Sequence, residues 1–231
     1  MKNAWDKAWS GLDTYGDIRV RKGRAREKLE IFEKMGLSYL GINKVTDFGA
    51  GGGYVSDEFL KKANNPNLII KLLEFTDSGV KMARERFTNN PNIEVIQADI
   101  SKPLDLKQDS DLAMAFSVLE HIEDTQTGIQ NIHSSLKAKG QLLLIWSNKN
   151  SILRQQREKE VKNNTWVYGY QKEIDEEELL DLIGGKFDIK KTMVVPCLGY
   201  KGKRFLTLRD NLAHLIVPNN GRYLFSILEK G

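Results

Sequence analysis

Cysteine occurs once in the 231 residues, at Cys197, so an internal disulfide and any multi-cysteine metal site are excluded. No apolar run approaches the roughly 20 residues that a membrane-spanning helix needs. The run Leu142-Leu143-Leu144-Ile145-Trp146 ends at Ser147. The start, Met1-Lys2-Asn3-Ala4-Trp5-Asp6, lacks the apolar stretch of a secretory signal, and the cytoplasm is the expected compartment. Internal repeats and low-complexity linkers are also missing. At 40% hydrophobic and 29% charged residues, the composition argues against global disorder. The length suits one α/β unit with a sizeable core.

One glycine is missing from an otherwise familiar place. Val45-Thr46-Asp47-Phe48 reads as a strand ending beside an acid, and Gly49-Ala50-Gly51-Gly52-Gly53 turns it into a helix-like run. Such a turn lets a ligand approach bare backbone. A dinucleotide fingerprint starting at Gly49 would need glycine where Tyr54 stands. G-x-G-x-G therefore weakens a pyrophosphate reading. Leu68–Leu73 then reads as a buried strand ending in Glu74, about 25 residues after Gly49, near the spacing at which an acid meets a ribose. A carboxylate there can accept from both ribose hydroxyls. Asp77, the rival acid, falls in a turn that opens a helix.

Beyond these motifs, strands and helices alternate. Strands are expected at 45–48, 68–74, 93–97, 111–116 and 141–147, and helices at 54–63, 79–88, 126–138 and 175–183. Trp5, Ala8, Trp9 and Leu12 share one helical face near the start. A further helix over 17–35 should turn Ala25, Leu29, Phe32 and Met35 inward. The alternation implies a parallel sheet with helices on both faces. Phe187–Val195 and Arg222–Lys230 are strand-like, with no βαβ-type helix evident between them.

From about Val45 to Trp146 the chain resembles the class I S-adenosylmethionine-dependent methyltransferases. Four segments carry the likeness: Val45–Gly53; Glu74-Phe75-Thr76 followed by Met82-Ala83-Arg84; Gln97-Ala98-Asp99-Ile100; and Phe116-Ser117-Val118-Leu119-Glu120-His121-Ile122-Glu123-Asp124. The last is similar to the signature of small-molecule enzymes of the ubiquinone and menaquinone group. The resemblance implies a Rossmann-like, seven-stranded, mostly parallel sheet whose last strand is antiparallel. It implies one methyltransferase domain over 1–231, with a helical cap at 1–40 and a substrate-covering insertion at 148–171. S-adenosylmethionine would lie on Asp47, Gly49, Ala50, Gly51 and Gly53, with ribose on Glu74 and adenine among Phe75, Asp99 and Ile100. Phe116 and Ser117 would flank its methionine end, and S-adenosylhomocysteine would leave. The ubiquinone-type enzymes hold a divalent metal through two glutamates and a histidine. Glu120 and His121 match, but Ser117 stands for the first glutamate, so no metal is expected.

His121, beside the reaction crevice, is the candidate general base. Its alternative is to orient a loop through a carbonyl, because methyl transfer from a sulfonium needs alignment more than proton transfer. His133, on a face with Ile129, Ile132 and Leu136, reads as packing, and His214 as structural. The polar segment 148–171 offers Trp166, Tyr168 and Tyr170 as acceptor contacts, or as an aromatic patch that merely packs. Arg19, Arg21, Lys22, Arg24, Arg26 and Lys28 stand against Glu27 alone, more charge than the chain's net +4. Such a run suits an acidic acceptor, though a solvated helix face is the commoner outcome. It lacks the interleaved aromatics of an RNA-binding module. An RNA methyltransferase, a nicotinamide oxidoreductase and a non-catalytic cofactor-binding partner protein are the rival functions.

Overall fold

The computed structural model describes residues 5–6, 18–166, 169–196 and 204–231. Strand β1 (Lys44–Phe48) lies at the centre of a seven-stranded sheet, parallel to β2 (Ile69–Glu74) on one side and β4 (Ser110–Phe116) on the other. β3 (Ile93–Gln97) extends the sheet beyond β2, and β5 (Leu136–Ser147) extends it beyond β4. β7 (Tyr223–Lys230) then runs antiparallel between β5 and the edge strand β6 (Phe187–Val195). The order 3-2-1-4-5-7-6 has a single reversed strand, the last.

The central strands read as unbroken apolar runs because both faces are covered. On one face, Leu29, Phe32 and Met35 of α1 (Ile18–Met35), Phe59 of α2 (Tyr54–Ala63) and Ala83 of α3 (Asp77–Arg86) pack on Val45, Ile70, Leu72 and Met114. On the other, Ile129 and Ile132 of α4 (Thr125–Ser135) join Ala113, Ala115, Leu142 and Leu144. Trp146 is fully buried in this second cluster, and its Nε1 donates to the Lys172 carbonyl at 2.7 Å. That bond fastens the chain beyond α5 (Leu153–Lys162) to the end of β5. α6 (Glu176–Ile183) opens with a capping box, Asp175 with Glu178, and buries Leu179 and Ile183.

Local chemistry moves some expected boundaries. α3 starts at Asp77 rather than 79 because Thr76 Oγ1 accepts from the Gly79 N–H at 3.1 Å and caps the helix earlier. α4 stops at Ser135, not 138, because Leu136 already pairs with Ser110 and Lys139 adopts a left-handed φ of 62°. A helix not expected from the sequence, α7 (Arg204–Ile216), links β6 to β7. It is no βαβ crossover, since the strands it joins are antiparallel.

The parallel strands all end at one edge, where the topology switches between β1 and β4. That is where ligands meet an open α/β sheet. Ser147 and Val195 each lie opposite Tyr223, so the α5 and α7 connections leave from that same edge.

Candidate functional site

The turn after β1 is made from glycine by necessity. Gly49, Gly51 and Gly53 have φ of 68°, 55° and 72°, a region that L side chains rarely adopt. The N–H groups of Gly49 and Ala50 both donate to the Leu73 carbonyl, at 2.8 and 3.1 Å, which pulls the turn onto the end of β2. From the far side, Arg86 Nε donates to the Gly52 carbonyl at 2.7 Å while its guanidinium lies 3.7 Å from the Tyr54 ring centroid. Tyr54, at the position where a dinucleotide fold would carry glycine, serves here as a platform for that arginine.

Glu74 joins the turn to the second strand. It is buried, and its Oε2 accepts from the Gly51 N–H at 2.7 Å. Its Oε1 accepts from the Thr76 N–H at 2.9 Å and from Thr76 Oγ1 at 2.6 Å. A carboxylate offers about four acceptor positions, so Oε2 retains capacity for a hydroxyl. The residues beside it follow suit. Phe75 is half-buried and Ile100 buried, and the Ala98 N–H donates to the Glu74 carbonyl at 2.9 Å. Asp99 Oδ1 is taken by the Ser101 N–H (3.1 Å) and hydroxyl (2.6 Å), which leaves Oδ2 near Lys102.

A buried charge cluster lies at the β1–β4 end. Asp47 accepts from Ser56 Oγ at 2.6 Å, and burial pushes its carboxyl up to about 7 against the pull of that bond and of Lys28. Glu120 accepts from Ser147 Oγ at 2.7 Å, and burial raises it to about 7 as well, while its Oε2 is enclosed with no hydrogen-bond partner among the described residues. Between them acts Lys28, whose ammonium lies 5.5 Å from the Phe116 ring centroid. Desolvation lowers it to about 8, with Arg24 adding to the effect and Glu120 and Asp47 opposing it. Phe116 stacks on Phe32 at 5.3 Å, and Ser117 turns the chain with φ 56°.

His121 follows within a short 3-10 turn, Leu119–His121. Its Nδ1 lies 2.9 Å from the Tyr170 carbonyl. A carbonyl only accepts, so Nδ1 carries the proton and Nε2 the lone pair. The Trp5 ring meets the imidazole edge-on at 4.7 Å. Burial lowers its basicity to about 4, and the nearby Arg157 guanidinium adds to this against the carbonyl bond. The imidazole is therefore neutral at pH 7 and a weak base. Its proton resonances should titrate with a midpoint near pH 4 by NMR; a midpoint at 6.5 would show a solvated ring and remove this geometry.

The basic run on α1 is divided by the fold. Arg21 is buried, 5.8 Å from the Tyr54 ring, Lys28 faces the acids, and Arg26 pairs with Glu58 at 3.0 Å. Arg19, Lys22 and Arg26 are exposed at the spacing of one helical face, so that part of the run is a solvated basic face while Arg21 and Lys28 turn inward. Lys28 was countable only as charge, yet it shares a helical face with Ala25, Leu29 and Phe32. A lysine within an apolar stripe was the readable signal. Arg157 and Glu173, a paired cation and acid between α5 and the Trp146 anchor, carried no such signal. Trp166 Nε1 donates to the Gly169 carbonyl at 2.9 Å, with its ring 6.0 Å from the Arg157 guanidinium. Tyr170 brings its backbone carbonyl to His121, while its side chain is exposed. Tyr168 lies outside the described residues. Asp6 accepts from the Ser78 N–H at 2.9 Å. Residues 5–6 thus touch both the β2 and the β4 ends of the crevice. His133 packs edge-on against Phe187, as its helical face suggests.

A family of methyltransferase domains matches residues 46–142. Malonyl-[acyl-carrier protein] O-methyltransferase 1 of Ilyobacter polytropus is 26% identical over 132 residues, 57% of this chain and 47% of that protein. The chain thus spans about half the length of this curated relative. An S-adenosylmethionine-dependent methyltransferase of Thermotoga maritima superposes over 100% of both chains with a TM-score of 0.70 at 15% identity. A chain from the Haloferax volcanii complex of the Trm112 methyltransferase activator with a methyltransferase matches with a TM-score of 0.69 at 12% identity, over 99% of this chain and 95% of that one. No described helix is long and apolar enough to cross a membrane.

Proposed function

We propose that this chain, which matches a family of methyltransferase domains over residues 46–142 and shares the fold of an S-adenosylmethionine-dependent methyltransferase, transfers a methyl group from S-adenosylmethionine to an oxygen or nitrogen of a small-molecule acceptor. The observation that carries the reading is the buried Glu74 carboxylate at 2.7 Å from the Gly51 N–H. It couples a left-handed glycine turn to an acid with acceptor capacity to spare, the pair needed to hold a ribose against bare backbone.

In this reading Gly49, Ala50, Gly51 and Gly53 line the adenosyl group, and Glu74 accepts from its sugar. Phe75 and Ile100 flank the base, with Asp99 at its polar edge. Asp47, Phe116 and Ser117 border the methionine end, where Lys28 suits a carboxylate. When bound, the cofactor supplies a methyl group on a positively charged sulfur. The chain's own residues then contribute alignment and exclusion of water, which account for most of the acceleration in such a displacement. The segment 148–171, together with residues 5–6, covers the acceptor. Trp166 and Tyr170 supply apolar surface, and His121 Nε2 accepts a hydrogen bond from a hydroxyl acceptor. The name of the Ilyobacter relative places its methyl group on a malonyl oxygen, which supports oxygen as the receiving atom.

Calorimetric titration with S-adenosylmethionine and separately with NADH tests the binding half of this reading. Saturable heat with the sulfonium donor alone is expected. Labelled methyl donor with panels of hydroxyl, carboxyl and amine acceptors tests the transfer. Saturable binding without turnover, in a preparation that retains a copurifying protein, would favour the non-catalytic partner instead.

A further inference from the structure

The helix α7 carries an apolar stripe that none of the described residues covers. Leu208, Leu212, Leu215 and Ile216 are 55%, 51%, 78% and 81% exposed, and they recur at the spacing of one helical face. Single exposed leucines need no explanation, but a contiguous row does. By sequence, the segment 201–217 also carries Lys201, Lys203, Arg204 and Arg209. The sequence entering the helix, Lys201-Gly202-Lys203-Arg204, is basic, and Asp210 is the only acid from 201 to 217. Lys159, Lys162 and Lys172 are exposed on the neighbouring connection, which leaves the same edge of the sheet.

We propose that α7 docks this protein, without crossing, on the surface of an anionic lipid bilayer. An exposed apolar row in a basic segment suits a helix lying in the interface plane, with leucines among the acyl chains and basic groups at the phosphates. Nucleic acid would use the cations but leaves the leucines in water. A second copy would bury the leucines but, through a self-complementary contact, would bring two basic patches together.

The position of the helix matters for the site. Asn148 Nδ2 donates to the carbonyls of Asn219 (2.9 Å) and Gly221 (2.7 Å), and the Ile152 N–H donates to Asn220 Oδ1 at 2.8 Å. The segment that follows α7 is thereby fastened to the start of the 148–171 connection at the strand ends. Docking turns the crevice edge of the sheet toward the bilayer, so an amphiphilic acceptor held in that bilayer reaches the crevice. This consequence rests on the methyl-transfer reading; the docking itself does not.

Flotation of the full chain, with no methyl donor, tests the docking separately from the chemistry. With vesicles of phosphatidylcholine containing about a third phosphatidylglycerol, most of the protein should float; with phosphatidylcholine alone it should stay below. Leu215→Glu/Ile216→Glu should lower partitioning at least about tenfold. Because both positions are exposed, its circular dichroism and its heat of S-adenosylmethionine binding should match those of the parent. Absence of flotation with the anionic vesicles, equal flotation with both kinds of vesicle, equal flotation of the variant, or sedimentation showing a dimer that the variant dissolves would each overturn the proposal.

Discussion

Gly49→Ala should destabilise the protein by about 2–5 kcal/mol and remove measurable binding of S-adenosylmethionine. Two effects add at this position. The left-handed φ of 68° disfavours any side chain, by about 1–2 kcal/mol. A Cβ there would also lie 2.4 Å from Val118 Cγ2 and 2.8 Å from Val118 Cβ. Such overpacking adds about 1–3 kcal/mol. Val118 cannot yield easily, because its carbonyl receives the His121 N–H at 3.1 Å and holds the 3-10 turn. A shift there moves the glycine turn and His121 together. Gly52→Ala is the internal control. Gly52 has no left-handed φ, and its Cβ would meet the flexible end of Met82 at 2.5 Å. Denaturant midpoints and calorimetry should therefore rank Gly49→Ala well below Gly52→Ala. Equal stability and equal affinity in the two variants would remove the assigned role of the Gly49 turn.

Why the sheet could be read from the chain while its accessories could not is a matter of period and of reach. Central strands such as Leu68–Leu73 and Leu142–Trp146 are apolar on both faces, and glycines or acids punctuate their ends, so local pattern suffices. The reversal of β7 came from family likeness, because pairing across β5 and β6 leaves no local trace. α7 left no such trace for a related reason: its apolar row faces outward, and it returns to no strand of a βαβ unit. Within the site, the residues that act through backbone were legible. Glycine at a left-handed turn has few other uses, and an acid closing the next strand has a known reach. The charge cluster was not legible. Asp47 and Glu120 are raised to about 7 only because the fold buries them. The single Lys28 that opposes both comes from a helix before the motif. His121 shows the same limit. Its place after β4 marked it as a candidate, but only the enclosure by Trp5 and the Tyr170 carbonyl sets its protonation and tautomer.

The variant that best separates scaffold from ligand contact is at Glu74. Glu74→Ala should weaken S-adenosylmethionine binding by at least about tenfold, more than 1 kcal/mol, as expected for lost buried hydrogen bonds. Alanine also strands the Gly51 and Thr76 N–H groups, which now have carboxylate partners at 2.7 and 2.9 Å. Each buried donor left unpaired costs about 1–3 kcal/mol, so the melting temperature should fall as well. That coupling would blur the interpretation if alanine were used alone. Glu74→Gln resolves it. A glutamine keeps the shape and one acceptor oxygen, and the Thr76 hydroxyl can rotate to receive the new amide. The turn then stays largely in place, and stability should change less than in the alanine variant. If Glu74 grips a sugar, affinity should still drop in the glutamine variant, because a charged acceptor forms the stronger bond to a hydroxyl. If Glu74 only braces the glycine turn, affinity should follow stability through both variants. A folded Glu74→Ala protein that binds the donor as tightly as the parent would refute the ribose assignment, and with it the premise that this turn and this acid share one ligand.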